Sequence, residues 1–270
     1  MMNHSLIFGS GLSSYKDFDG LRQVCQVALE HGIVCFDTAP SYRTEALLSK
    51  VVIQCAKELG LQRTDYEIQT KIDPIHMYNG QVESYFSQKL DEMGLEYIDS
   101  LFIHWPVEKY LHKTWEALIN LKEKGIARQI GICNLRHRHL EALKLQGIIP
   151  DTLQIERHPL NTFDKEVEWC HSNSVALQAY SPLCKMHQHI RENQDLNAIA
   201  RKYNKDLGQV ILRWHIDTGA TPVFTSKNLD RIRLYAHLSD FCLTKEEINT
   251  ISACNCNHKL YLESLICPGF

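Results

Sequence analysis

Four side chains in this sequence can share one piece of proton chemistry: Asp37, Tyr42, Lys71 and His104. A free tyrosine has a pKa of about 10 and is a sluggish acid near neutrality. A neighbouring lysine ammonium stabilises the tyrosinate and draws that value toward a working pH. An aspartate can pair with the lysine and hold it charged. A histidine can hydrogen-bond a substrate oxygen on which negative charge develops. Asp37, Lys71 and His104 each stand at or just after a short apolar run, and Tyr42 follows Asp37 by five residues, enough chain to fold back over it. These residues need a scaffold that brings three distant segments to one place.

The pattern of the chain supplies one. Short β-rich runs at 6–9, 33–36, 66–70, 98–104, 127–132, 152–155, 175–179 and 220–224 alternate with stretches of helical periodicity. The helices are predicted at 18–31, 46–58, 82–93, 114–124, 140–145, 165–172, 196–203 with 207–216, and 229–238. Glycines 32, 60, 94 and 125 supply helix stops. Strict alternation implies a parallel sheet, and eight β-then-α units imply a closed α/β barrel of the (β/α)8, or TIM, type. A chain of 270 residues fits one such barrel, which takes about 250. A further helix is expected after Thr244, where Thr244 and Glu247 form a capping box. No linker marks a second domain, so residues 1–270 read as a single unit, with the aperiodic tail 254–270 lying over the barrel mouth and shaping the substrate site.

Composition narrows the partners. With 44% hydrophobic and 23% charged residues the chain is globular, and 29 basic against 32 acidic residues leave a net charge of −3. That balance argues against nucleic acid. No apolar run is long enough for a signal peptide or a membrane span. Ten cysteines are too sparse for a disulfide scaffold, so reduced thiols and a cytoplasmic location are expected. The Cys254, Cys256, His258 spacing is not that of a zinc ribbon, and no metal is expected.

In a barrel of this kind the site lies at the C-terminal ends of the strands. The strings found there are Phe36-Asp37-Thr38-Ala39, Thr70-Lys71, Ile103-His104-Trp105-Pro106, Gly131-Ile132-Cys133-Asn134, Gln154-Ile155-Glu156 and Ala179-Tyr180-Ser181-Pro182-Leu183. In this order they resemble the aldo-keto reductase family, from about Leu6 to Thr244. The resemblance implies carbonyl reduction to an alcohol with hydride from a nicotinamide cofactor. It makes Tyr42 the proton donor, tuned by Lys71 and Asp37, with His104 and Trp105 beside the substrate. It places Gly9, Ser10, Asp37, Cys133, Asn134 and Gln154 near the nicotinamide end, and Tyr180 against its ring. Ser181 and Leu183 fall at the pyrophosphate, and Thr225, Ser226 and Arg231 at a 2′-phosphate with Lys227 nearby. NADP(H) is therefore favoured, with NAD(H) as the alternative.

The sequence departs from the family in places. Cys133 stands for a serine, Arg43 for the glycine after the catalytic tyrosine, and Arg157 for a tyrosine. Thr225 stands for a lysine, and Leu234-Tyr235 for the Glu-Asn pair at the adenine. Arg43 places a charge at the rim of the mouth, and with Arg157 it raises the prospect of a polar or anionic carbonyl substrate, solvent-exposed arginines being the plainer reading. Gly9-Ser10-Gly11-Leu12-Ser13-Ser14 only begins like a dinucleotide fingerprint. The loops expected to set specificity are 73–79, 105–110, 185–193 and 254–270. A monomer or weak oligomer is expected. The competing reading is a cofactor-binding regulatory or interaction subunit of the same fold with little turnover.

Overall fold

The structure is a computed structural model and describes residues 5–11 and 17–262. The fingerprint-like Leu12-Ser13-Ser14 and the tail from 263 to 270 lie outside the described residues. Eight parallel strands form a closed barrel in sequence order: β1 (Ile7–Gly9), β2 (Cys35–Asp37), β3 (Glu67–Ile72), β4 (Ile98–Ile103), β5 (Ala127–Cys133), β6 (Thr152–Glu156), β7 (Ala176–Tyr180) and β8 (Ala220–Phe224). Closure is made by Ile7 beside Val223 and Phe8 beside Phe224. The expected strands are all present, with ends that move by one or two residues.

Strand periodicity divides each strand between two environments. Phe8, Phe36, Ile68, Leu101, Ile130 and Leu153 belong to the large core between barrel and helices. Ile7, Cys35 and Val223 form a separate small cluster with Tyr180 packed against it. β5 and β6 approach closely because Gly131 has no side chain: a Cβ there would lie 2.5 Å from the Phe102 ring and 2.6 Å from the Thr152 carbonyl oxygen.

Among the helices that differ from expectation, two border the ends of β3 and β4. The helix after β4 runs Glu108–Glu123, six residues earlier than predicted, so only Trp105, Pro106 and Val107 separate it from His104. Its polar start, Glu108, Lys109, His112 and Lys113, hid the turn that Leu111 anchors in the core. A short helix, Pro74–Asn79, was not predicted. Its signals were there: Pro74 at the first helical position, and Gly80 in the left-handed region (φ 63°) that ends it. The capping box is present, with Thr244 and Glu247 bonding reciprocally at the start of the helix Lys245–Ser252.

After that helix the chain returns to the barrel mouth. Cys256 and His258 donate their backbone N–H groups to Leu160 O, and Asn255 Nδ2 donates to Thr162 Oγ1. The Leu260 and Tyr261 N–H groups end on the carboxylate of Glu156, the last residue of β6, at 2.7 and 3.0 Å. Tyr261 thereby meets Tyr180 edge-on, with ring centroids 5.8 Å apart.

Candidate active site

Asp37 closes β2, Lys71 is the penultimate residue of β3, and His104 follows β4, so neighbouring strands deliver all three to one end of the barrel. Tyr42 arrives differently. Pro40–Tyr42 is a single 3-10 turn, set up by the fixed φ of Pro40. Arg43 ends the turn at φ 58°, in the region glycine enters without cost. Beneath it, Ser10, Thr44 and Thr38 join hydroxyls at 3.0 and 3.2 Å. The Tyr42 ring ends up 5.8 Å from the His104 ring, edge to face, and 5.0 Å from Lys71 Nζ.

Lys71 is held by three 2.8 Å hydrogen bonds, two to the Asp37 carboxylate and one to Thr38 O. Removing two charges from water costs several kcal/mol per ion, about what such charge-assisted bonds return. The pair therefore contributes little net stability, and its yield is a charge fixed beside Tyr42. Burial works against the Lys71 ammonium, but Asp37 and Tyr42 more than offset it and raise its pKa above the ordinary value. Burial pushes the Tyr42 phenol up to about 12, with Lys71 pulling the other way. The expected direction of the lysine effect holds, but burial outweighs it, so Tyr42 stays protonated at neutral pH.

Under Asp37 lies a belt of amides. Gln69 and Gln154 donate to Asp37 Oδ2 at 2.7 and 3.1 Å, and both donate to Gln178 Oε1. Gln178 returns a bond to Gln69 Oε1 across the barrel. Gln69 and Gln178 were not singled out in the sequence, although each shares an inward face with a site residue two positions on, Lys71 and Tyr180. Gln154 thus supports Asp37 from below. Asn134 lies higher: its Nδ2 donates to His104 O and its Oδ1 accepts from the Tyr180 hydroxyl. Burial raises the Cys133 thiol well above its usual pKa, leaving a neutral group near Gln154 Oε1.

Asp73 was missed as a site residue. It follows β3 and accepts a hydrogen bond from His104 Nδ1. Burial lowers the His104 pKa, although Asp73 pulls it back up. For Asp73 burial works upward, yet bonds from His104 and Ser41 hold its carboxyl below the usual range. Trp105 is half-buried, its ring 5.9 Å from His104.

One expectation about the arginines requires correction. Arg157 is neither exposed nor at the mouth; it is 2% exposed, stacked 3.9 Å from the Trp214 ring centroid. Its Nε donates to Thr162 O and its Nη1 to His215 Nδ1, while His215 Nε2 donates to Pro182 O. It supports the Ser181-Pro182-Leu183 turn from inside. Ser10 also faces inward, fully buried, with its N–H bonded to Asp37 O. Arg43 is exposed, as expected.

The end of the site expected to take the nucleotide is more open. Ser181 takes φ 51°, and Ser181 and Leu183 are half-buried beside the mouth. Thr225 and Lys227 are exposed and Ser226 is buried between the end of β8 and the helix Leu229–Ala236, which Asn228 caps and whose first turn carries the exposed Arg231. Hydroxyls, two cations and a helix N-terminus suit phosphate oxygens. Tyr235 is buried against Phe224 and Gly208, so of the residues aligned with the adenine contacts only Leu234 faces outward. Cys254, Cys256 and His258 do not converge on a metal: among the described residues, no three such ligands are so placed. The nine described cysteines are free, and no described helix is long and apolar enough to cross a membrane.

This arrangement has counterparts. The aldo/keto reductase family matches the chain over residues 5–256. The chain belongs to the aldo/keto reductase family. Among related family members, a methylglyoxal reductase of Yersinia pestis is 33% identical over 86% of this chain and 83% of its own. A glyoxal reductase of Bacillus subtilis is 32% identical over 92% and 88%. An aldo-keto reductase of Bombyx mori, solved in complex with NADP, superposes with a TM-score of 0.87 at 30% identity, covering 96% of this chain and 91% of that one.

Proposed function

We propose that this chain is an NADPH-dependent reductase of small, reactive aldehydes and ketones, dicarbonyls of the glyoxal type among them. The observation that carries it is the Tyr42 ring held between the Lys71 ammonium, 5.0 Å away, and the His104 ring, 5.8 Å away, at the end of the barrel. The relatives named for methylglyoxal and glyoxal, and the one solved with NADP, support the substrate class and cofactor.

When bound, the dihydronicotinamide supplies a hydride to the carbonyl carbon. Tyr180, Asn134 and Cys133 would hold its ring and carboxamide, Ser181 and Leu183 its pyrophosphate, and Ser226, Lys227 and Arg231 a 2′-phosphate. Tyr42 gives its proton to the carbonyl oxygen, completing the alcohol, and Lys71 stabilises the tyrosinate left behind. Asp37 holds Lys71 in place, and the Gln69–Gln154–Gln178 belt holds Asp37. His104 and Trp105 orient the substrate.

The test is a carbonyl panel of sugars, keto acids, aromatic aldehydes and dicarbonyls, followed at 340 nm with NADPH and with NADH. Turnover of dicarbonyls with NADPH is expected, and binding of NADPH without turnover on any carbonyl would sink the proposal. Cofactor choice has its own expected outcome. A charge-assisted bond to phosphate contributes about 1.5–3 kcal/mol, so Arg231→Ala should weaken NADPH roughly tenfold to hundredfold and leave NADH nearly unchanged. Fluorescence titration of both cofactors reads this. Equal losses for the two would move Arg231 away from the phosphate.

A further inference from the structure

Asp73 has no place in the scheme so far, yet it touches His104, which is expected to hydrogen-bond the substrate oxygen. It stands two residues beyond Lys71, where strand alternation carries its side chain to the same face. It is 8% exposed and accepts a hydrogen bond from His104 Nδ1, while Ser41, the residue before Tyr42, helps hold its carboxyl below the usual range. One carboxylate thus joins the end of β3, the segment after β4 and the turn that carries the proton donor.

An ionised carboxylate only accepts hydrogen bonds, so it can pair with His104 only when Nδ1 carries a proton. In the neutral ring Nε2 is then bare. Nε2 has no protein partner among the described residues. A carbonyl oxygen is also only an acceptor, so neutral His104 in this form has nothing to offer it. The imidazolium can donate from Nε2 while Nδ1 stays on Asp73. An alcohol hydroxyl, which can donate, suits the neutral ring instead.

We propose that Asp73 is a positioning residue that fixes the His104 proton on Nδ1 and thereby makes the Nε2 hydrogen bond to a substrate carbonyl depend on capture of a second proton. The groups that face His104 are Asp73, Lys71 of β3, Asp37 of β2 and the Tyr42 ring, with Asn134 just after β5 bonded to its carbonyl. Lys71 disfavours a second cation there, and Asp73 balances it. The grip on a carbonyl is therefore strongest below the His104 titration and lost above it, while the grip on the alcohol product runs the other way.

The role of the carbonyl rests on the reductase reading above, whereas the tautomer does not, and the experiment separates the two. Long-range 1H–15N correlation spectra of the free protein, with His104→Gln for assignment, report which ring nitrogen carries the proton. In the wild type Nδ1 is expected protonated and Nε2 bare above the titration, with both protonated below it. In Asp73→Asn the amide can donate to Nδ1, so the Nε2–H form should appear and the titration should move to lower pH. In steady-state reduction the carbonyl KM should rise about tenfold per pH unit above the wild-type titration and become flat in Asp73→Asn, with kcat moving less. Tyr42, by contrast, is level in that range. An Nε2–H tautomer in the wild type, or the same KM profile in both proteins, would overturn the proposal. An Nδ1–H tautomer in a protein with no carbonyl turnover would leave the Asp73 assignment standing and remove the reductase reading.

Discussion

Replacing Tyr42 with phenylalanine should lower kcat for carbonyl reduction by about 10²- to 10⁴-fold, the usual worth of a positioned general acid and about 3–5 kcal/mol of barrier. The ring itself stays, and with it the edge contact to His104 and the cation contact from Lys71. Cofactor affinity should hardly change, because the lost proton transfer belongs to the transition state. Stopped-flow and steady-state rates with NADPH, together with cofactor titration, check both halves. A Tyr42→Phe enzyme that keeps near-wild-type kcat would show that some other group protonates the oxygen.

Lys71→Met should act on the same proton from the other side. Lys71 is the group that pulls the Tyr42 phenol down against burial, which has already pushed it up to about 12. Without the ammonium the phenol moves higher still, becoming a weaker acid and a scarcer tyrosinate. Oxidation of an alcohol needs tyrosinate, so its rate rises with pH below the Tyr42 pKa. In Lys71→Met that profile should be displaced to higher pH and the rate at any fixed pH reduced. Reduction needs the phenol, so it should be slowed with no alkaline loss in the working range. An alcohol-oxidation rate at fixed pH that is unchanged in Lys71→Met would remove Lys71 from the tuning role.

The variant carries a structural cost as well. Asp37 is buried and loses the cation it shares two bonds with, a change that costs about 3–5 kcal/mol in buried pairs. Asp37→Asn in the same chain should recover much of the thermal midpoint without restoring the pH profile, which separates folding from tuning.

Much of this protein is legible along the chain. Each barrel strand is a short run of branched and aromatic residues between helical stretches, and that periodicity is local. Asp37, Lys71 and His104 each end such a run, so the rule that barrel sites gather at strand ends brings them together before any coordinates. The capping box at Thr244 and Glu247 is likewise a matter of neighbours three residues apart.

What the sequence could not reveal depends on closure. The amide belt joins Gln69 to Gln178 across 109 residues, and only the barrel's register sets those two amides opposite each other. Arg157 reads as a solvent-exposed arginine in the sequence, but the turn after β6 swings it inward onto Trp214 and His215. The Tyr42 pKa follows the depth at which one 3-10 turn settles, a quantity that residue spacing does not contain. Asp73 looks like the opening of a loop until the ends of β3 and β4 lie side by side and its carboxylate reaches His104. The sequence by itself determined the barrel, the family and the residues that meet at its mouth, because those follow from local pattern and strand order. The tertiary structure alone decided which polar atoms pair and how deeply they are buried, because both depend on how distant strands align when the sheet closes.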